Sequence, residues 1–223
     1  KECNGRANWA DFNNDGWVDV LISDVGKIAI YKNLGNNTFL DITSSSGIKC
    51  YSDNPVFSNW IDFNNDGFLD IHWQNNISGN DTTVPIIYMN NGDETFTHLS
   101  EELGFPKTAT RNYHSTWGDY DNDGDLDLYL SNKKHNILYR NEGNHNNWLE
   151  VNLISTRSNS DAIGARIKVI CGTLTQYRDV GLGHEYQSWT RQNLHFGLGN
   201  YTKIDSIVVY WPFGTVQDTI NIS

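Results

Sequence analysis

Short apolar runs recur along this chain and predict strands rather than helices. Val20-Leu21-Ile22, Ile71-His72-Trp73 and Leu128-Tyr129-Leu130 each lead to a second run, over 28–31, 86–88 and 137–139, and then to a turn rich in Asn and Gly. β-Branched and aromatic residues dominate these runs, as they do on a pleated, half-buried surface. The first two groups continue into a further short run, over 37–42 and 94–99. Helical spacing is hard to find; only residues 100–104, Ser-Glu-Glu-Leu-Gly, read as a short helical turn. Alternation further along predicts strands over 149–153, 165–170, 176–180 and 207–211.

The groups are copies of one unit. Residues 9–19, 60–70 and 117–127 read WADFNNDGWVD, WIDFNNDGFLD and WGDYDNDGDLD, and each copy trails a Tyr-x-Asn-x-Gly turn at Tyr31, Tyr88 and Tyr139. The spacing of 51 and then 57 residues is that of one four-stranded propeller blade. Trp9, Trp60 and Trp117, two residues ahead of each acidic loop, are expected in the core of the repeats.

The acidic loops have the ligand pattern of a calcium site. With Asp11 as position one, Asn13 is three, Asp15 five, Gly16 six, Trp17 seven and Asp19 nine. Oxygen ligands at alternate positions wrap one ion, Gly at six supplies the sharp turn, and the backbone carbonyl at seven adds a ligand. The second copy supplies Asp62, Asn64, Asp66, Phe68 through its carbonyl, and Asp70. The third supplies Asp119, Asp121, Asp123, Asp125 through its carbonyl, and Asp127. An all-oxygen cage suits Ca²⁺ better than zinc, which takes Cys and His, or magnesium, which keeps several waters. An EF-hand needs a Glu at position twelve between two helices. Ile22, Trp73 and Leu130 hold that position and the flanks are strand-like, so calcium-bearing hairpin loops, about three ions in all, are the expectation.

Composition adds bounds. In 223 residues the chain has a formal charge of −11 and no basic stripe, which argues against a nucleic-acid partner. Three divalent ions, each adding two charges, would bring −11 to −5. The sequence has no apolar run long enough to span a membrane. It begins at Lys1 with no visible signal peptide, so a processed product or an excerpt of a longer chain is expected. Of three cysteines, Cys3 and Cys50 are the candidate disulfide and Cys171, inside an apolar run, a buried free thiol. Sequons at Asn36, Asn76, Asn80, Asn200 and Asn221 permit the glycosylation of a secreted protein without showing it.

Trp-x-Asp-x-Asn/Asp-x-Asp-Gly-x-x-Asp with its trailing turn resembles the FG-GAP/VCBS repeat family over residues 1 to 145, with copies over 1–50, 51–107 and 108–145. The resemblance implies a propeller blade whose first two strands are joined by a Ca²⁺-binding loop. Residues 146–223 resemble the ASPIC/UnbV domain, through 147–151 (NWLEV), 161–169 (DAIGARIKV), 195–199 (HFGLG, read as a turn) and 208–214 (VVYWPFG). Repeats followed by this module are the arrangement of the cartilage acidic protein family, for which the resemblance implies adhesion and matrix association. The fold class is therefore all-β: a partial, three-repeat, propeller-like array of four-stranded blades followed by a small C-terminal β domain. Propellers close with four to eight blades, so upstream blades, or other copies stacked head to tail into a filament, are expected to cover the open edges.

No enzyme is expected. The seven His show no His-Glu-x-x-His spacing, Ser188 lacks a nucleophile elbow, and His195 is read as structural. The leading reading is a secreted, calcium-stabilised structural or adhesive protein with an extracellular protein or glycan partner. A carbohydrate-binding module, with Trp148, Trp189 and Trp211 as stacking surfaces, is the alternative, and a hydrolase with structural calcium the third.

Overall fold

The computed structural model describes residues 6–24, 27–49, 55–77, 82–105, 112–132, 135–157, 159–181 and 194–222, all strand and turn. The first repeat is an antiparallel meander of β1 (Arg6–Ala10), β2 (Asp19–Asp24), β3 (Lys27–Asn33) and β4 (Phe39–Asp41). The second repeats it with β5 (Pro55–Ile61), β6 (Asp70–Ile77), β7 (Thr82–Asn90) and β8 (Phe96–His98). Residues 99–105 make a helical turn, Leu103 N–H bonding to Leu99 C=O and Phe105 N–H to Ser100 C=O, and residues 42–46 another, Ser46 N–H bonding to Ile42 C=O.

The third blade departs from expectation, with three strands rather than four: β9 (Asn112–Gly118), β10 (Asp127–Asn132) and β11 (Ile137–Tyr139). After Gly143 the chain lacks the Thr-Phe pair that starts β4 and β8 and runs instead into the C-terminal unit. There β12 (Asn147–Val151) pairs with β15 (Leu194–Gly199), while β13 (Arg166–Cys171), β14 (Leu174–Asp179), β16 (Ile204–Tyr210) and β17 (Val216–Ile222) form a sheet in the order β14-β13-β16-β17. Residues 195–199, read as a turn from their glycines, are therefore strand. Ile167, Val169 and Cys171 alternate inward from β13 onto Phe196, Leu198, Ile204 and Val209. Cys171 is buried and unpaired; Cys3 and Cys50 lie outside the described residues.

The seam between the first two blades is sealed. Phe12, Leu21, Ile30, Ile71, Trp73, Tyr88 and Phe96 form one core. Trp60 stacks on Phe12, rings 5.3 Å apart and 7° from parallel. Several polar groups in this seam are paired: Trp60 Nε1 donates to Asn8 C=O at 3.2 Å, Ser58 Oγ to Ser23 Oγ at 3.2 Å, and the Asn8 amide to Ser58, while Trp73 Nε1 is buried without a hydrogen-bond partner among the described residues.

The next seam keeps the apolar part, with Trp117 packed near Ile61, Phe63 and Ile87, but loses the pairing. The counterparts of Trp60, Ser58, Ser23 and Leu21 are Trp117, Ser115, Gln74 and His72. Trp117 Nε1, Ser115 Oγ, both amide atoms of Gln74 and both nitrogens of His72 are buried without a hydrogen-bond partner among the described residues. His72 is fully buried in a T-shaped contact with Trp117, and burial pushes its pKa down to about 3. An unsatisfied buried polar group costs about 1–3 kcal/mol. His72→Leu, which installs the first repeat's residue, is expected to raise the thermal midpoint by a few degrees, at about 2–4 °C per kcal/mol. A lowered midpoint in a melting experiment would show that ordered water completes these groups.

Trp9 corrects another expectation. Trp60 and Trp117 pack into the core, but Trp9 is 40% exposed, in a T-shaped contact with Phe39. The Trp of a blade packs on the Phe of the preceding loop, and no described residue stands in that place for Trp9.

Candidate calcium loops

Each acidic loop joins the first two strands of its blade. In the first, between β1 and β2, Asp11 turns both oxygens inward: Oδ1 accepts from Asp15 N–H at 3.1 Å and Oδ2 from Gly16 N–H at 2.8 Å. Asn13 Oδ1 accepts from Asp15 N–H, and Asp15 Oδ1 from Trp17 N–H. Asp19, first residue of β2, closes the loop by accepting from Phe12 N–H at 3.3 Å and Asn33 N–H at 2.7 Å. Asn14 and Gly16 take left-handed backbone, φ 61° and 90°, a conformation favourable for Gly and tolerated by Asn.

The other two loops reproduce this. Asp62 accepts from Asp66 and Gly67, Asn64 from Asp66, Asp66 from Phe68, and Asp70 from Phe63 and Asn90. Asp119 accepts from Asp123 and Gly124, Asp123 from Asp125, and Asp127 from Tyr120 and Asn141. Asn65 and Asn122 repeat the φ of Asn14, at 57° and 61°. Carboxylate oxygens of Asp119, Asp121 and Asp127 lie within 4.8 Å of one another.

Burial makes these carboxylates costly without a cation. Asp11, Asp19, Asp62, Asp70 and Asp127 are all buried. That burial pushes Asp11 up to about 6, Asp19 and Asp62 up to about 7, and Asp70 well above the ordinary range. Asp66, Asp125 and Asp127 are raised for the same reason. Asp123, at the surface, is lowered by the Asp125 N–H and by Arg140. Cations of the protein stand beside the outer loops: Lys32 Nζ is 3.7 Å from Asp15, and Arg140 is 3.0 Å from Asp121 and 3.2 Å from Asp123. Met89 holds the equivalent position in the second blade. Clustered oxygen donors with no nitrogen or sulfur among them fit a hard divalent cation.

Two asparagine relays, unseen in the motif reading, tie the loops together. The Asn of the second and third Tyr-x-Asn turns reaches back: Asn90 Nδ2 donates to Leu69 C=O and, in the preceding loop, to Phe12 C=O at 3.0 Å. Asn141 Nδ2 does the same to Leu126 and Phe63. The left-handed Asn of the first and second loops reaches forward, Asn14 Nδ2 to Gly67 C=O at 3.0 Å and Asn65 Nδ2 to Gly124 C=O at 2.9 Å. Asn at fixed places in all three copies was the available signal.

The C-terminal unit sits on the loops. Gly197 N–H donates to Asp62 Oδ2 at 3.0 Å and Gly199 N–H to Asn65 C=O at 2.8 Å. His195 Nε2 lies 2.5 Å from Asn65 Oδ1, with Trp148 stacked on the imidazole. Arg166 is 3.7 Å from Asp11. Half-buried Arg178, stacked on Phe196, stands close enough to Asp62 and Asp11 that their carboxylates hold up its charge against burial. A cavity of about 500 Å³ opens between the blades and this unit, lined by Trp9, Trp60, Trp117, Trp148, Glu150 and Arg178 among others. Trp211 packs on the C-terminal core instead, and Trp189 lies outside the described residues. Asn36 and Asn200 are exposed; Asn76 and Asn221 are strand residues, and Asn80 lies outside the described residues.

Comparison with known proteins agrees with this layout. A profile for FG-GAP-like repeats matches residues 11–73 and 62–130, and one for ASPIC and UnbV matches 155–223. Cartilage acidic protein 1 of Homo sapiens is 32% identical over 92% of this chain, and that of Mus musculus 31% over 92%. The Xenopus tropicalis protein of the same name is 27% identical over 93%. The chain spans about a third of the length of these curated relatives. No helix among the described residues is long and apolar enough to cross a membrane. With its matched repeats running from residue 11 to 130, over half its length, the chain belongs to the FG-GAP-like repeat family and carries an ASPIC and UnbV domain behind them.

Proposed function

We propose that this chain is a calcium-stabilised, non-enzymatic structural or adhesive element of an extracellular protein. The observation that carries the reading is the threefold recurrence of one loop geometry around buried carboxylates. Asp11, Asn13, Asp15, the Trp17 carbonyl and Asp19 would hold the first ion. Asp62, Asn64, Asp66, the Phe68 carbonyl and Asp70 would hold the second, and Asp119, Asp121, Asp123, the Asp125 carbonyl and Asp127 the third. Bound calcium would supply the charge that these carboxylates lack and fix each hairpin loop. The relatives' name places those proteins in cartilage, which supports an extracellular setting here.

Adhesion would use the two open blade faces. The first blade leads with Trp9, Phe39 and Leu40, all at least 40% exposed. The third trails with Tyr120, Tyr129 and Leu138 exposed, and Tyr120 holds the position of Phe12, on which the next Trp stacks. Head-to-tail contact would seat Trp9 of one copy on Tyr120 of another, and further blades of a longer chain would use the same faces. Light scattering on the calcium-loaded chain at micromolar concentration is expected to show assemblies that Trp9→Lys abolishes. A monomer in calcium would end the self-assembly reading and leave the faces to further blades.

The carbohydrate-binding alternative has one supporting observation, the tryptophan-lined cavity beside Glu150 and Arg178. Retention on a polysaccharide column, lost in Trp148→Ala, would favour it.

A further inference from the structure

We infer that Asn65 is a positioning residue that couples ion binding at the second loop to the seating of the C-terminal domain. The inference rests on the calcium reading above and goes beyond it, because the coupling joins two parts of the chain that the family profiles match separately.

The side-chain amide and the backbone carbonyl of Asn65 are all committed, the amide nitrogen to the third loop and the two oxygens to β15. Its amide nitrogen donates to Gly124 C=O and Asp125 Oδ1 of the third loop, both at 2.9 Å. Its side-chain oxygen faces His195 Nε2, and its backbone carbonyl accepts from Gly199 N–H. The amide donates to carbonyl and carboxylate oxygens, so its orientation is fixed and Oδ1 must accept from a protonated His195 Nε2. The residue is fully buried. Its repeat-mates do less: Asn14 donates to Gly67 C=O, but its Oδ1 is buried without a partner among the described residues. Asn122 is exposed and makes no cross-loop bond among the described residues.

The linkage follows from where Asn65 sits. It is position four of the second loop, between Asn64 and Asp66, with φ 57°. Closing the loop on an ion fixes that backbone, and with it the direction of the carbonyl and amide that β15 and the third loop receive. Asp62 reinforces the link, since its Oδ2 accepts from Gly67 of its own loop and Gly197 of β15. Whatever orders the second loop therefore also presents the acceptors on which β15 docks. Linkage is reciprocal, so a seated β15 must raise the affinity of the loop for its ion by the same factor.

The test uses the full chain with Ca²⁺ as ligand and two independent readouts: bound calcium by equilibrium dialysis, and hydrogen exchange of the β15 amides. In the parent protein calcium is expected to slow β15 exchange about tenfold, in the range of ordinary coupling energies. Asn65→Gly keeps the left-handed backbone and removes the side chain. It is expected to bind as many ions, with weaker affinity at one site, and to lose most of the calcium dependence at β15. His195→Phe, which keeps the stack on Trp148 and removes the donor, is expected to reduce it in the same direction. Asn122→Gly, at the same position of the third loop, is expected to change neither. Calcium binding with undiminished protection of β15 in Asn65→Gly and His195→Phe would overturn the coupling alone. Absence of calcium binding in the parent would overturn the coupling together with the reading on which it rests.

Discussion

Chelation with EDTA is expected to lower the thermal midpoint of this protein by about 15 °C or more, and magnesium is expected to restore little of it. A ligand at a hundredfold excess over its Kd stabilises by about 2.7 kcal/mol per site, so three loops reach about 8 kcal/mol. At about 2–4 °C per kcal/mol for a chain of this size, the shift exceeds most single substitutions. The physical source is the buried set of Asp11, Asp19, Asp62 and Asp70, whose mutual repulsion a divalent ion replaces by attraction. Magnesium demands octahedral geometry and keeps its waters, which the loop's many protein ligands do not accommodate. Superimposable melts in Ca²⁺ and EDTA would mean that the loop N–H bonds alone hold these turns.

The same carboxylates set the pH dependence. Asp11 is raised to about 6 and Asp19 and Asp62 to about 7 in the calcium-free fold, against about 3.9 unfolded. Raised carboxyl groups contribute stability that is fully present below about pH 4 and lost as pH climbs through 6 to 7. Calcium needs the ionised form, so its benefit grows through that same window. His72 and His195, pushed down to about 3 and about 4 by burial, act oppositely and destabilise the fold as pH falls below about 6.5. Both arms of a calcium-against-EDTA comparison share those histidines. The gap between the arms is therefore expected to widen from pH 5 to pH 8, and a gap that narrows over that range would contradict the assignment.

The loops were legible in the sequence because most of the bonds that wrap them are local. Asp11 reaches Asp15 and Gly16, four and five residues on, and spacing alone encodes that. Strand runs were legible for the same reason, through alternation. What sequence spacing could not convey is which faces meet. Trp9 shares the motif of Trp60 and Trp117, yet its exposure depends on a neighbour rather than on its own context. His72 and Gln74 sit in a run that reads as apolar strand, and only the packed seam reveals their unpaired atoms. Asn65 looks like turn chemistry, since Asn-Asp-Gly is a turn signal; that its amide bridges two loops and a second domain is tertiary information. The shortness of the third blade was visible in the missing Thr-Phe pair, but the regularity of the first two copies masked it.

Gly197 carries the second large expectation. Residues 195–199 read as a turn because glycines punctuate them, yet Gly197 lies within β15 and its need for glycine is one of approach. A Cβ there would stand 2.4 Å from the Asn65 backbone carbon and from Asp62 Oδ2. Neither is the free end of a flexible side chain, so β15 must lift or the second loop must distort. Either outcome strains the Gly197 bond to Asp62 and the Gly199 bond to Asn65, and a lifted β15 also releases the Gln176 amide from the Gly197 carbonyl. Gly197→Ala is expected to cost about 3 kcal/mol or more, as overpacking with lost buried hydrogen bonds does, which is a midpoint drop of about 6–12 °C. Gly118→Ala is the matched control, since no atom lies within 4 Å of its added Cβ, and it is expected to melt with the parent. Limited proteolysis separates the two routes: early release of the C-terminal domain with the blades intact means β15 has lifted, whereas loss of one bound calcium means the loop has yielded. A Gly197→Ala chain that melts with Gly118→Ala and resists protease equally would show that β15 does not press on the second loop.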